Sequence, residues 1–426
     1  MSSPDELTAA ERSVLGHLDE QALVESLMEL VRIPSMGGSD AEVEVQEVAA
    51  GMLHDLGTEV DRWDIDLEEL AEDPWFPGVE VTRTQAVGVV GTTPGEGMPA
   101  LVLQGHLDVV PPGDPDNWLG VDPFSAEVRG GALYGRGACD MKGGVAANLA
   151  VARTLHAAGA RLERPLAVHC VIGEEDGGLG GFATLRRGHI GETAVITEPT
   201  SAQIITATAG ALTFRIEVAG RSAHGSLRSQ GVSAFEAFLP IHAALLEFEA
   251  ERNRDPEPGF VAEPPYALSI GLVQAGEWSS NVPDRLVAEG RFGVQLDEDP
   301  RLARARFEDV VTEVAAKDPW LRENRPVVTW PGVQFASGST DSDHPLIAEM
   351  SSAVTLTGGT KPPLARGVYG SDLRLYTGIG GIPTLHYGPG DMQDAHSPLE
   401  KIYLDQLVQV TRALTVLTLR RCGLVS

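Results

Sequence analysis

Along much of the chain two hydrophobic patterns alternate. LVLQ (101–104), LAVHCVI (166–172), AVIT (194–197) and PTLHYG (383–388) are short, nearly continuous apolar runs. Such runs read as strands buried on both faces. Between them lie stretches such as KGGVAANLAVARTLHAAG (142–159), rich in Ala and Leu with glycines near both ends. That composition reads as a helix. Strands alternating with helices predict an α/β fold, a mostly parallel sheet flanked by helices.

The pattern changes near Gly210. ALTFRIEVAG (211–220) alternates apolar and polar like a half-buried strand, and VSAFEAFLPIHAALLEFEAER (232–252) reads as a long helix. A Pro-rich acidic loop, RDPEPGFVAEPP, separates these from two further strand-like runs, ALSIGLVQAG and RLVAEGRFGVQL. PRLARARFEDVVTEVAA then reads as a helix with Pro at its start, and PVVTWP as a last strand. The order β-α-β-β-α-β is that of a ferredoxin-like α+β unit. The expected organisation is therefore a discontinuous domain of residues 1–208 and 331–426, interrupted by an inserted domain of residues 209–330. A final amphipathic helix is expected from about Leu404. No internal repeat or low-complexity tract is evident.

Composition narrows the function. The 426 residues are enough for more than one domain. The 61 acidic residues against 32 basic ones give a formal charge of −29, which argues against a nucleic-acid partner. No stretch approaches the roughly 18 consecutive apolar residues of a membrane helix. The first 20 residues, MSSPDELTAAERSVLGHLDE, have neither a basic n-region nor an apolar h-region, so no secretory leader is expected. Cys139, Cys170 and Cys422 lack zinc-ribbon or redox spacing, and a sparse, odd set suits a reducing compartment. These features predict a soluble, cytoplasmic protein with no membrane association.

The chemistry gathers where the strands end. GHLDVVPPG puts His106 after the first run, with Asp108 two residues on; GRGACDMKGG puts Asp140 at the start of a helix. GEEDGG places the pair Glu174–Glu175 after the second run, TEPTS places Glu198 after the third, and GPGDMQDAHSPLE places His396 after the last. Sites in open α/β sheets lie beyond the carboxyl ends of the strands. Singly, each residue has a plain structural alternative: a satisfied histidine, a helix cap at Asp140, a solvated acidic turn at Glu174–Glu175. Together, two histidines and three carboxylates, with Glu174 left over, form a sensible set for two divalent ions bridged by one carboxylate. Asp108 is placed to fix the His106 tautomer or to orient another ligand.

With these residues in place the chain resembles the dinuclear zinc amidohydrolases and metallopeptidases that include acetylornithine deacetylase, succinyl-diaminopimelate desuccinylase, aminoacylase and glutamate carboxypeptidase. The matching segments are GHLDVVP, GRGACDMKGG, GEEDGG, TEP, NVPD, GSD and YGPG…AHSPLE. They follow the family's order and cover nearly the whole chain. The resemblance implies that His106 and Glu198 bind one ion, that Glu175 and His396 bind the other, and that Asp140 bridges them. It implies Glu174 as general base, Asp108 as support for the ligands, and a cis peptide between Asp140 and Met141. The inserted domain would be a lid and dimerisation domain. In it His224 would polarise the substrate carbonyl, often across a dimer interface. Asn281 and Arg291 would hold the substrate's carboxylate, and Gly370 and Ser371 would line the same pocket. The ions implied are Zn2+, with Co2+ or Mn2+ able to use the same ligands.

The reaction expected is hydrolysis of the amide of an N-acyl amino acid by a metal-activated water. A dipeptidase or carboxypeptidase is the alternative, and a non-catalytic metal-binding interaction protein a more remote one. The expected partners are a small-molecule substrate and a second copy of the chain. HGSLRSQG (224–231) departs from the family's usual lid-loop wording, and DIDLEELAEDPWFPGVEVTRT (64–84) matches nothing in it.

Overall fold

A computed structural model describes residues 6–425. The first five residues, part of the N-terminal segment read above, lie outside it. The chain divides into two compact units. The first runs to Ala207 and resumes at Ser339–Ala365 and from Asp372 onward; the second comprises Thr208–Gly338 and Arg366–Ser371.

The four apolar runs of the first unit are adjacent strands. In spatial order Leu166–Val171, Leu101–His106, Ala194–Pro199 and Thr384–Gly388 form the parallel centre of a nine-stranded sheet. Antiparallel strands flank them, Val87–Thr92 and Glu59–Asp64 on one side and Ile204–Thr208 on the other. Every position of the central strands is buried because both faces are covered. Leu101, Leu103, Leu166, Val168 and Val195 face one core with helices Glu20–Val31, Asp40–Asp55, Gly143–Ala157 and Leu404–Cys422. Val102, Ala167, Ala194 and Ile196 face a second core built on helix Leu179–Arg186.

Gly144 shows why helix Gly143–Ala157 opens on glycines. A Cβ at Gly144 would lie 2.1 Å from the Thr197 carbonyl oxygen, so only glycine lets the helix start so close to the strand that carries Glu198. Because the central strands run the same way, their carboxyl ends share one edge of the sheet.

The second unit is ferredoxin-like. Its strands lie in the order Leu268–Ala275, Arg285–Val294, Gly210–Ala219 and Val327–Thr329, all antiparallel. Leu212, Phe214, Ile216 and Val218, every second residue of one strand, are buried in a core shared with helices Ala234–Arg252 and Pro300–Lys317. The alternation seen in the sequence is the alternation of burial. Among the described residues no helix is long and apolar enough to cross a membrane.

Candidate metal centre

His106 is the last residue of its strand and is fully buried. Its Nδ1 lies 2.9 Å from the backbone carbonyl of Asp108. A carbonyl only accepts, so Nδ1 carries hydrogen and Nε2 is the nitrogen that turns towards the site. Nε2 lies 3.2 Å from Asp140 Oδ1 and 3.8 Å from Glu198 Oε1. The other oxygen of Asp140 lies 3.3 Å from His396 Nε2, which is also 3.0 Å from Glu175 Oε1. Asp140 thus stands between two imidazoles, one on each carboxylate oxygen. The backbone there is irregular, and the Asp140–Met141 peptide is cis. His396 sits at φ 56° on the loop after strand Thr384–Gly388.

Among the described residues two trios of ligand atoms are close enough for an ion, His106–Asp140–Glu175 and His106–Glu174–Glu198, each within 4.8 Å. The side chains therefore interleave across the two ligand sets that the family resemblance implies. The Asp108 carboxylate lies beside the same Nδ1, with Oδ1 at 3.5 Å. It also accepts from the backbone N–H groups of Glu174, at 3.3 Å, and Glu175, at 3.1 Å.

The electrostatics are those of buried like charges. Burial and the Asp140 carboxylate raise the pKa of Glu175 and Glu198. Burial raises Glu174 too; His106 opposes this, while Asp372 and Glu175 add to it. Burial disfavours the His106 imidazolium, but Asp108, Asp140 and Glu198 outweigh it and raise its pKa. Hydrogen bonds to Asp140 and Glu175 lift His396 to about 11. Four carboxylates crowd two imidazoles, and Glu174 Oε1 is buried without a hydrogen-bond partner. Such a cluster is costly without compensating charge, and its nitrogen and oxygen donors are those a divalent ion takes. The residues fit a metal centre.

The remaining predicted residues lie in the second unit. His224, exposed, forms a backbone bridge with Asn281, and its Nδ1 lies 2.8 Å from Ser226 Oγ. Arg291 donates to the Val368 carbonyl at 2.7 Å, and burial lowers its pKa. A Cβ at Gly370 would meet the Phe335 ring at 2.4 Å, and buried Ser371 lies 3.4 Å from the Thr208 hydroxyl.

Comparison with known proteins gives the family. Residues 102–420 match the family described as Peptidase family M20/M25/M40. The chain belongs to this family. An N-formyl-4-amino-5-aminomethyl-2-methylpyrimidine deformylase of Bacillus subtilis (strain 168) is 29% identical over 399 residues, 89% of each chain. A succinyl-diaminopimelate desuccinylase of Xanthomonas euvesicatoria pv. vesicatoria (strain 85-10) is 32% identical over 268 residues, 59% of this chain and 69% of the relative. Among solved structures, an M20 family metallo-carboxypeptidase from Sulfolobus solfataricus superposes with a TM-score of 0.74 at 16% identity, covering 94% of this chain and 99% of that one. The protein is an M20 amidohydrolase or peptidase, and its chemistry is metal-dependent amide hydrolysis. The reading as a non-catalytic interaction protein is set aside.

Several residues that sequence reasoning passed over brace this M20 centre. Glu400 and Arg136 pair in the core beside Asp140 at 2.6 Å. Lys142 is fully buried, donates to the carbonyls of Leu30 and Ile33, and is pushed by burial down to about 7. Arg374 donates to Gly177 in the turn after Glu175, at 2.7 Å. Glu400 and Lys142 stood inside the motifs AHSPLE and DMKGG; nothing in their spacing marked a role.

Proposed function

We propose that this enzyme hydrolyses the amide bond of an N-acyl amino acid with two divalent ions, zinc foremost. His106 and Glu198 would hold one ion, Glu175 and His396 the other, and Asp140 both. The observation that carries the reading is the position of Asp140, with Oδ1 at 3.2 Å from one imidazole and Oδ2 at 3.3 Å from the other. Bound divalent ions supply Lewis-acid polarisation of a carbonyl and activation of water near neutral pH.

Glu174 has the environment of a general base. Its carboxylate is buried, one oxygen has no protein partner and is free to meet a water, and burial raises its pKa. It takes the proton of the attacking water. The water oxygen bonds to the carbonyl carbon, the carbon–nitrogen bond breaks, and Glu174 returns the proton to the leaving amine. Asp108 holds both glutamates by their backbone N–H groups. In the second unit His224 acts on the substrate carbonyl and Asn281 and Arg291 on its carboxylate, with Gly370 and Ser371 beside them. The bridge between His224 and Asn281 supports their acting together.

The protein acts in the cytoplasm as a homodimer formed through the second unit. Phe235, Leu239 and Leu246 are exposed along one helix, and Leu272 and Val273 on the edge strand Leu268–Ala275. The names of the relatives, a deformylase and a desuccinylase, support acyl removal over peptide cleavage.

The test is a hydrolysis panel with metal-reconstituted enzyme. Formyl, acetyl, succinyl and aminoacyl groups are compared on basic, acidic and apolar amino acids. Preferred turnover of an N-acyl amino acid is expected. Cleavage of dipeptides with no N-acyl activity would replace this reading by a peptidase.

A further inference from the structure

The segment carrying Asp140 and the segment carrying His396 are far apart in sequence but are built as one piece. Strand Ala132–Tyr134, just before Asp140, pairs antiparallel with strand Lys401–Tyr403, just after His396. Between these strands and the two proposed ligands stands Glu400, fully buried. Its Oε1 accepts the backbone N–H groups of Cys139 at 2.9 Å and Asp140 at 3.0 Å. Its Oε2 accepts from Arg136 Nη1 at 2.6 Å, and Arg136 Nη2 reaches the His396 carbonyl at 3.4 Å. Cys139 adds a further link, its Sγ donating to the Asp391 carbonyl at 3.3 Å.

We propose that Glu400 and Arg136 are positioning residues that form one buried clamp and set Asp140 and His396 together. The inference rests on the reading of those two residues as ligands. The clamp touches neither ligand's side chain. It fixes the backbone on both sides, and so fixes the direction from which a carboxylate and an imidazole meet. Two loops held by independent contacts could drift apart singly; two loops held by one ion pair move together. Groups that orient metal ligands from behind typically change affinity by roughly 10–100-fold when removed.

The experiment uses the full chain freed of metal with chelator and titrated with Co(II) alone. Glu400→Gln keeps the size and an acceptor oxygen while removing the charge, and Arg136→Met removes the other half. His396→Ala is the reference for a lost ligand, and thermal unfolding confirms that each variant is folded. The readouts are Co(II) affinity and visible spectrum, and backbone hydrogen exchange over residues 138–142 and 394–397 in metal-free protein. The clamp predicts that both variants weaken at least one Co(II) roughly 10–100-fold, alter its spectrum and speed exchange in both segments together. Wild-type affinity, spectrum and exchange in both variants would overturn it. If wild-type protein binds no Co(II), the metal reading falls and exchange alone decides. Joint acceleration then supports the clamp, and acceleration confined to one segment, or none, overturns it.

Discussion

Arg83 grips Asp176 with both ends of its guanidinium, Nη1 to Oδ2 and Nη2 to Oδ1, each at 2.8 Å. The same guanidinium meets Glu42 through Nε and Nη2, also at 2.8 Å. The three side chains are 2%, 7% and 1% exposed. Asp176 follows directly on Glu174–Glu175, and its Oδ2 also accepts the N–H of Val81. The stretch 64–84, which precedes the residues matched by the family model, is thereby fastened to the turn that carries the proposed base. Arg83→Met leaves two buried carboxylates without their cation and should cost about 3–5 kcal/mol in denaturant unfolding. The triple variant Arg83→Met, Glu42→Gln, Asp176→Asn removes the charges together and should recover much of that loss. A single-variant loss under about 1 kcal/mol would show the triad to be dispensable.

Glu174 is the residue on which binding and turnover should separate. In Glu174→Ala the five proposed ligands remain, so metal content measured on purified protein should match the wild type. Turnover should fall roughly 100-fold or more, the scale of general acid–base catalysis. Full activity in that variant would remove Glu174 as the base.

Metal removal should have two effects of one origin. Buried carboxylates that repel one another destabilise the metal-free fold, and an ion that binds only the folded state stabilises it by mass action. At a hundred times its Kd that stabilisation is about 2.7 kcal/mol. Chelation should therefore abolish hydrolysis and lower the melting temperature, with both restored by Zn2+, Co2+ or Mn2+. Activity that survives exhaustive chelation would contradict the metal centre.

What the sequence makes legible follows from how each part is held. The central strands are buried on both faces, so Leu101–His106 and Leu166–Val171 announce themselves as apolar runs with acids or imidazoles at their ends. The strand Gly210–Ala219 of the second unit is buried on one face and announces itself by alternation. Glu400 and Arg136 stand 264 positions apart, and only the pairing of two three-residue strands brings them together. Arg83 lies in a loop with no periodicity, so nothing local points to Glu42 or Asp176. Asp108 is legible as a neighbour of His106. That its carbonyl meets the imidazole while its carboxylate holds the glutamate turn is a matter of backbone path, which residue spacing does not encode.

His169 offers a pH test away from the metal centre. It is buried in strand Leu166–Val171 with Nδ1 2.8 Å from the Tyr376 hydroxyl, and burial, aided by His189, lowers its pKa to about 3. In the unfolded chain it takes up a proton below about pH 6.5. Between those values the unfolded state binds the extra proton, so stability falls as pH falls, by up to about 1.4 kcal/mol per pH unit from this group. Above about pH 6.5 the effect vanishes. Urea midpoints at pH 7, 6 and 5 should fall more steeply for the wild type than for His169→Gln. Parallel slopes would show that His169 titrates alike in both states.

The edge strand Leu268–Ala275 leaves one row of backbone groups unpaired by the sheet of its own unit, and it exposes Leu272 and Val273. Long apolar edges of this kind invite a second strand, and proteins that remain monomeric blunt them with charge. The helix Ala234–Arg252 adds Phe235, Leu239 and Leu246, three apolar side chains on a helix whose exposed face would ordinarily be polar. If a second copy covers these surfaces, one charge on each should be enough to separate the copies. Leu272→Arg and Leu239→Glu, together, should convert a dimer of about twice the 45.2 kDa chain mass into a monomer by light scattering. Because the substitutions lie on exposed positions, unfolding midpoints measured at a single low protein concentration should change little. Persistence of the dimer in the double variant would move the interface elsewhere. A wild-type protein that scatters as a monomer would remove the homodimer and leave these apolar faces to another partner.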